Sequence, residues 1–272
     1  MPKLTIITIN LNNTLGLRRT IESVVSQTYV DYEYIIIDGG STDGSVDVIR
    51  EYQDQITFWV SEVDHGIYNA MNKGIMQAKG EYILFLNSGD MLVANNVTER
   101  MLDNMPECSI LYGNIQWDLV GKIITDKSFR GRSITMLDMF REALYHSSAY
   151  IKKDLFSKYG LYDESLKIAS DWKFFLIALG LNSEPVVYKD IDVCLVDITG
   201  ISRTNPELLI QERKKVLEEL LPKPILDDYN ALSGEISMIE RLKKSRIVWF
   251  LFNKFYNILL KYDWFKNKML HV

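Results

Sequence analysis

The chain has 272 residues, 47% hydrophobic and 25% charged, with a formal net charge of −5 at pH 7. That length suits one large α/β domain with an appendage, or two small domains, and the acid excess argues against a general nucleic-acid binder. The two cysteines, Cys108 and Cys194, stand far apart in apolar surroundings without the Cys/His spacing of a structural zinc; two buried thiols in a reducing compartment are expected.

Residues 4–9 form a continuous β-rich run, the pattern of a strand buried on both faces. Residues 15–27 carry Leu17, Ile21, Val24 and Val25 at helical spacing, with Asn12, Asn13 or Thr14 available as the cap. A second strand over 34–37 ends at Asp38, followed by the turn Gly39-Gly40-Ser41-Thr42-Asp43-Gly44 and a helix over 45–52, with Asp43 the more natural cap. A strand over 56–60, a helix over 66–78 and a strand over 81–86 complete the alternation. This is the pattern of an open, mostly parallel sheet flanked by helices, in which ligands bind beyond the carboxyl ends of the strands. Those ends carry Thr8 and Asn10, Asp38, Glu62 and Asp64, and Asn87 to Asp90.

Beyond residue 109 the alternation weakens. Strands are expected over 109–117 and 122–129 around a Val120-Gly121 turn, then a strand over 147–151, a helix over 170–179 and a strand over 186–196. A charged helix over 207–220 is stopped by Pro222 and Pro224, and helix resumes from 233. The expected organisation is a catalytic domain over 1–205, with a nucleotide-sugar half (1–105) and an acceptor half (106–205), and a helical extension over 206–272.

Three residue groups carry the chemistry. A carboxylate at a strand end, as Asp38, can accept hydrogen bonds from a base or ribose. The turn Asn87-Ser88-Gly89-Asp90 offers Asp90 to a hard divalent cation whose remaining ligands come from a diphosphate. Ser170 starts a helix and places Asp171 in its first turn, where a carboxylate is favoured and can serve as a general base.

The runs Thr5-Ile6-Ile7-Thr8-Ile9-Asn10, Ile36-Ile37-Asp38-Gly39-Gly40-Ser41-Thr42-Asp43-Gly44-Ser45 and Lys79-Gly80-Glu81-Tyr82-Ile83-Leu84-Phe85-Leu86-Asn87-Ser88-Gly89-Asp90 together resemble glycosyltransferase family 2. The likeness extends over about residues 3–200 and implies the GT-A fold, a nucleotide-sugar donor (commonly a UDP-sugar), Mn or Mg, and inversion at the anomeric carbon. It places Thr8, Asn10, Asp38, Asp64, Asn87 and Ser88 on the donor, Asp90 on the metal and Asp171 at the family's acidic catalytic position, as the general base. The segment Glu62-Val63-Asp64-His65-Gly66-Ile67-Tyr68-Asn69-Ala70-Met71-Asn72-Lys73-Gly74 resembles bacterial polysaccharide-assembly members, with Lys73 a phosphate contact. The chain departs from the family at the metal-linked Asp-x-Asp, where Asn87 and Gly89 replace both acids, and at Ser170, where the family often has Glu. His146 is an acceptor-side or diphosphate candidate, and His65 stands beside Asp64. A sugar-nucleotide nucleotidyltransferase and an inactive nucleotide-binding protein are the competing readings; against the first, no Gly-rich basic loop holds a triphosphate near the N-terminus.

The tail reverses the charge balance: Arg241, Lys243, Lys244, Arg246, Lys254, Lys261, Lys266 and Lys268 stand against Asp263, interleaved with Trp249, Phe250, Phe252, Phe255, Tyr256, Trp264 and Phe265. A basic, aromatic-rich helix fits a membrane interface, or packs on the catalytic domain or on a second copy in a homodimer. No signal-peptide pattern and no apolar run of about 18 residues is present. A cytoplasmic location is expected, peripheral to the inner face of the membrane if the tail binds lipid, with a saccharide or lipid-linked saccharide as acceptor.

Overall fold

A computed structural model of the chain describes all residues except Val120, Ile198, Thr199, His271 and Val272, and all side chains except those of Ile201, Ser202 and residues 262–270 as well. The chain divides into two compact units, Met1–Val216 and Leu217–Val272.

The first unit begins β1(Leu4–Asn10), α1(Thr14–Val25), β2(Tyr32–Asp38), α2(Ser45–Glu51), β3(Phe58–Ser61), α3(Ile67–Gln77) and β4(Tyr82–Phe85). It continues β5(Met91–Leu92), α4(Val97–Leu102), β6(Ile110–Leu119), β7(Lys122–Asp126), α5(Met136–Arg141) and β8(Ala149–Lys152). It closes with α6(Asp154–Tyr159), α7(Ser170–Phe175), β9(Val186–Val196), α8(Ile201–Thr204) and most of α9(Pro206–Leu220). The strands form one sheet in the order β3-β2-β1-β4-β8-β6-β9-β5, with β7 paired to β6. β3, β2, β1 and β4 run parallel; β8 then pairs antiparallel to both β4 and β6. The parallel half is the helix-flanked α/β sheet the alternation predicts, and β8 makes the whole sheet mixed; the chain reverses direction across the sheet between β1 and β4, where open sheets place their ligands.

All seven residues of β1 are buried because helices cover both of its faces. Its even-numbered positions, Leu4 and Ile6, join Leu17, Ile21 and Val24 of α1 and Val48 and Ile49 of α2 in one core. On the other face, Phe85, Phe156, Tyr162 and Phe174 interlock, with Phe156 and Phe174 stacked at 4.6 Å between centroids. That aromatic cluster seats α7 under the end of β4. Cys108 and Cys194 are buried free thiols, as expected.

Several local expectations shift. The strand expected to reach Phe129 stops at Asp126, and Phe129 turns inward with φ of 45°. A tight turn over His146–Ser148 precedes β8, and the helix expected over 170–179 becomes α7 followed by a π-helical stretch, Leu176–Leu181. Val120 of the expected turn lies outside the described residues. Glu212 of α9 is buried and accepts the backbone N–H groups of Lys167, Ile168 and Ala169 at 2.7, 2.9 and 3.0 Å, which ties this helix to the first unit.

In the second unit α10(Lys223–Lys244) begins ten residues earlier than the expected 233. Pro222 and Pro224 flank its first residue, where a missing N–H leaves no bond unmade, so the prolines that end one helix start the next. It breaks at Ser245, and α11(Arg246–Leu270) follows. Trp249, Phe252 and Tyr256 stack along one side of α11, with Lys243 over the Trp249 ring. Phe250 and Phe255 are 66% and 62% exposed, and Ile247, Leu251, Ile258 and Leu260 are exposed too. Trp264, Phe265, Lys266 and Lys268 lie outside the described side chains. Among the described residues no helix is long and apolar enough to cross a membrane.

Candidate active site

The parallel register aligns Asn10 with Asp38 and Asp38 with Ser61 across the carboxyl ends of β1, β2 and β3. One oxygen of Asp38 accepts from the Asn10 amide at 2.7 Å and the Ser41 hydroxyl at 2.6 Å; the other accepts from the Ser41 N–H at 2.9 Å and the Ser61 hydroxyl at 2.6 Å. Burial pushes its pKa up, but the bonds from Ser41, Ser61 and Asn10 outweigh burial and hold it below the usual carboxylate value. With four donors in place its lone-pair sites are filled. In this structure Asp38 anchors the 39–44 turn. Thr8, expected at the same edge, is fully buried and shares a hydrogen bond with the Tyr34 hydroxyl.

Asp64 does reach the rim. A Cβ on Gly39 would fall 2.5 Å from its Oδ2, so only glycine lets the carboxylate lie over the turn. Its Oδ1 accepts the Gly66 N–H. Lys73 lies within α3, and its ammonium pairs with Glu62 at 2.7 Å. His65 is exposed beside this turn.

The turn after β4 is held from below by α1. The Asn13 side chain caps α1 through the Gly16 N–H and donates to the Ser88 carbonyl at 3.0 Å. The Thr20 hydroxyl accepts the Gly89 N–H and donates to the Asp90 carbonyl at 2.6 Å. Gly89 has φ of 107°, and its missing side chain makes room for Asp197: a Cβ there would lie 2.6 Å from the Asp197 Oδ2. The Asp197 N–H in turn donates to Asp90 Oδ1 at 2.8 Å. Burial pushes the Asp90 pKa up to about 6; the Asp197 N–H and His146 oppose the rise, and the Asp197 charge adds to it.

At Gly89, where the sequence motif lacks an acid, the segment after β9 brings up the carboxylate of Asp197. A buried carboxylate whose ionisation is made costlier by the charge of a second one is a setting that a cation relieves. Among the described residues no three His, Cys, Asp or Glu side chains converge to cage a metal. The donor set thus fits a cation that takes its other ligands from a diphosphate.

On the far side of the same turn Asn87 Nδ2 lies 3.3 Å from His146 Nε2, and His146 Nδ1 lies 2.8 Å from Asp171 Oδ2. The Tyr68 hydroxyl lies 2.9 Å from Asp171 Oδ1 and 2.6 Å from the Ile168 carbonyl. Burial raises the Asp171 pKa, but the bonds from His146 and Tyr68 bring it below the usual value; burial lowers that of His146, and Asp171 and Asp90 more than reverse this. The Arg213 guanidinium stacks 4.7 Å over Trp172, within the field of Asp171. A carboxylate–imidazole pair of this kind can accept a proton from a hydroxyl beside the turn.

The structure thus brings Asn87, Ser88, Asp90, His146 and Asp171 to one place and sets Asn10, Asp38 and Asp64 beside one another on the neighbouring rim. The sequence marks Asn13 only as a helix cap and Tyr68 only as part of the 62–74 segment, and gives no sign of Thr20, Asp197, Glu212 or Arg213, which stand in or beside ordinary helices and strands.

The profile of the family described as Glycosyl transferase family 2 matches residues 5–160. The chain is 33% identical over 223 residues to an uncharacterized glycosyltransferase of Mycobacterium tuberculosis, covering 79% of this chain and 83% of that one. It is 28% identical over 181 residues to a PGL/p-HBAD biosynthesis glycosyltransferase of Mycobacterium bovis, covering 64% and 68%. Among solved structures it is similar to S. aureus TarS 1-349 in complex with UDP-GlcNAc, with TM-score 0.65 and 18% identity over 84% of this chain and 70% of that one. It is also similar to the mannosyltransferase PcManGT from Pyrobaculum calidifontis in complex with GDP-Man and Mn2+, with TM-score 0.55 and 13% identity over 91% and 82%. At these identities the structural likeness speaks to the fold, which is GT-A.

Proposed function

The chain belongs to glycosyl transferase family 2, and from that premise we propose that it moves a hexose or N-acetylhexosamine from a UDP-sugar to a saccharide or lipid-linked saccharide, with inversion. The observation that carries this reading is the line of contacts Asn87–His146–Asp171, which joins the turn suited to a diphosphate to a group able to take a proton. Inverting transfer needs these two functions on opposite sides of one anomeric carbon. The acceptor oxygen bonds to that carbon as the diphosphate departs, and the acceptor hydroxyl proton passes to the Asp171–His146 pair.

Asp90 and Asp197 would hold Mn or Mg, which when bound supplies charge stabilisation to the departing diphosphate. Asn87 and Ser88 line the same turn, and Asn10 and Asp64, with the turn that Asp38 anchors, form the nucleoside side. One relative is named as a PGL/p-HBAD biosynthesis glycosyltransferase, and α11 presents apolar side chains with Lys254 and Lys261 among them. This supports a lipid-linked acceptor and a peripheral position at the inner face of the membrane.

The test is release of nucleoside diphosphate from a panel of UDP-, GDP- and dTDP-sugars, with and without Mn and with a mixed saccharide acceptor pool. Metal-dependent UDP release that rises with acceptor is expected. Binding of UDP without release from any donor would point instead to a nucleotide-binding protein. Formation of a nucleotide sugar from a sugar phosphate and UTP would point to a nucleotidyltransferase.

A further inference from the structure

Resting on the glycosyltransferase reading, we propose that Arg203 and Arg213 form an anion site on the acceptor side, so that the acceptor carries a phosphate or a carboxylate close to its attacking hydroxyl. The two arginines belong to α8 and α9 of the first unit. Each guanidinium lies over a tryptophan: Arg203 over Trp117 at 3.5 Å and Arg213 over Trp172 at 4.7 Å from the ring centroid. Both rings are held by other contacts. The Trp172 indole N–H donates to the carbonyls of Met139 and Glu142 at 2.8 and 3.2 Å, and Trp117 meets Tyr145 edge to face at 5.8 Å. Stacking on a fixed ring orients the guanidinium plane and keeps its N–H edge available to an oxyanion.

Neither cation has an acid of its own. Among the described residues no carboxylate forms an ion pair with Arg203 or Arg213, and the Nε of Arg213 is buried with no hydrogen-bond partner. The chain has 36 acids against 31 Lys and Arg, so carboxylates are not scarce. Glu212, next to Arg213, is engaged by the backbone N–H groups of residues 167–169. Asp126 on β7 accepts from the Tyr145 hydroxyl and the Ser128 N–H. Burial lowers the Arg213 pKa, and Asp171 and Tyr145 offset only part of that. A half-buried guanidinium without a partner is costly, and an incoming anion removes the cost.

The placement separates this pair from the donor diphosphate. The charged groups that bear on Asp90 are His146 and Asp197. Arg213 instead lies within the field of Asp171 and Tyr145, and the field of Arg203 reaches Tyr145. Trp172 follows Asp171 directly on α7, so an anion on Arg213 sits beside the carboxylate assigned to the acceptor hydroxyl. A neutral saccharide leaves both guanidiniums without a counter-charge. The phosphate of a lipid-linked sugar, or the carboxylate of a uronic acid, satisfies them.

Calorimetric titration of the full chain saturated with UDP and Mn tests the site, because the donor diphosphate position is then filled. The probes are glucose, glucose 1-phosphate and glucuronic acid. At least one anion is expected to bind about tenfold or more tightly than glucose, and the tighter of the two names the source. Arg203→Gln and Arg213→Gln should each weaken that anion about tenfold or more, with the thermal shift given by UDP and Mn as in wild type. Arg213→Lys should restore part of the affinity. Glucose binding as tightly as both anions overturns the proposal, as does anion affinity unchanged in the Gln variants. Anions that bind only when UDP is absent overturn it too, since they then occupy the donor site. Should Arg213→Gln fail to fold, Arg203→Gln, at an exposed position, decides alone. Release of UDP from no donor, with anion binding intact, sinks the glycosyltransferase reading instead.

Discussion

The carboxylate of Asp197 lies 2.6 Å from where a Cβ on Gly89 would begin. The two positions are complementary: the turn after β4 has lost a side chain, and the segment after β9 brings an acid into the space. Because Gly89 also has φ of 107°, alanine there meets both backbone strain and the Asp197 oxygen. Gly89→Ala is expected to cost about 2 kcal/mol, or roughly 4–8 °C in thermal midpoint, and to displace Asp197. A midpoint equal to wild type would show that the turn relaxes without cost.

If Asp90 and Asp197 share a cation, each is needed for metal-dependent nucleotide binding. UDP with Mn, at about 100 times its dissociation constant, should stabilise the wild type by about 2.7 kcal/mol. In Asp90→Asn and in Asp197→Asn the shift seen with UDP and Mn should fall to that seen with UDP alone. Thermal denaturation with each ligand singly and together measures this, and a Mn increment preserved in Asp197→Asn removes Asp197 from the site.

The Asp38 carboxyl is held below its ordinary value of 3.8 in the folded chain. The folded state therefore binds fewer protons than the unfolded one. Its contribution to stability is complete above the unfolded pKa and is lost as pH falls through the folded one. Asp38→Asn should be less stable than wild type at neutral pH, with the difference narrowing below about pH 4. Urea midpoints between neutral pH and pH 3 test the sign; a gap that widens on acidification contradicts it.

Glu212 receives three backbone N–H groups in the segment that leads into α7. Glu212→Ala leaves those donors without an acceptor in a buried place and should destabilise the fold by on the order of 3 kcal/mol. Because Asp171 follows directly, transfer should fall while the UDP-induced shift persists. Chemical denaturation and donor binding separate the two effects. Loss of both together would mean that Glu212 supports the whole unit.

The exposed side chains of α11 offer a test of the membrane reading. Phe250 and Phe255 are 66% and 62% exposed, so replacing both by Asp should leave the fold intact. Wild type is expected to sediment with anionic vesicles and the Phe250→Asp, Phe255→Asp variant to remain in solution. Equal sedimentation of the two, or of neither, rejects the membrane contact. A mass in solution that halves in the double variant would assign this face to a second copy of the chain.

The sequence alone determined the alternation of strands and helices, the edge at which ligands would gather and two acids of the candidate site, Asp90 and Asp171. These are local properties: apolar periodicity, turn glycines and helix starts are written within windows of about 10–20 residues. The tertiary structure decided what each acid meets. Asp38 reads in isolation as an open carboxylate, and only the register of β1, β2 and β3 shows Asn10, Ser41 and Ser61 filling it. Asp197 carries no motif, and becomes significant because β9 ends against a glycine turn. His146 and Asp171 are 25 residues apart and Tyr68 and Asp171 103 apart. No local pattern encodes such distances. They follow from packing α3 and α7 around the aromatic cluster of Phe85, Phe156, Tyr162 and Phe174, whose fit sets where the polar side chains converge.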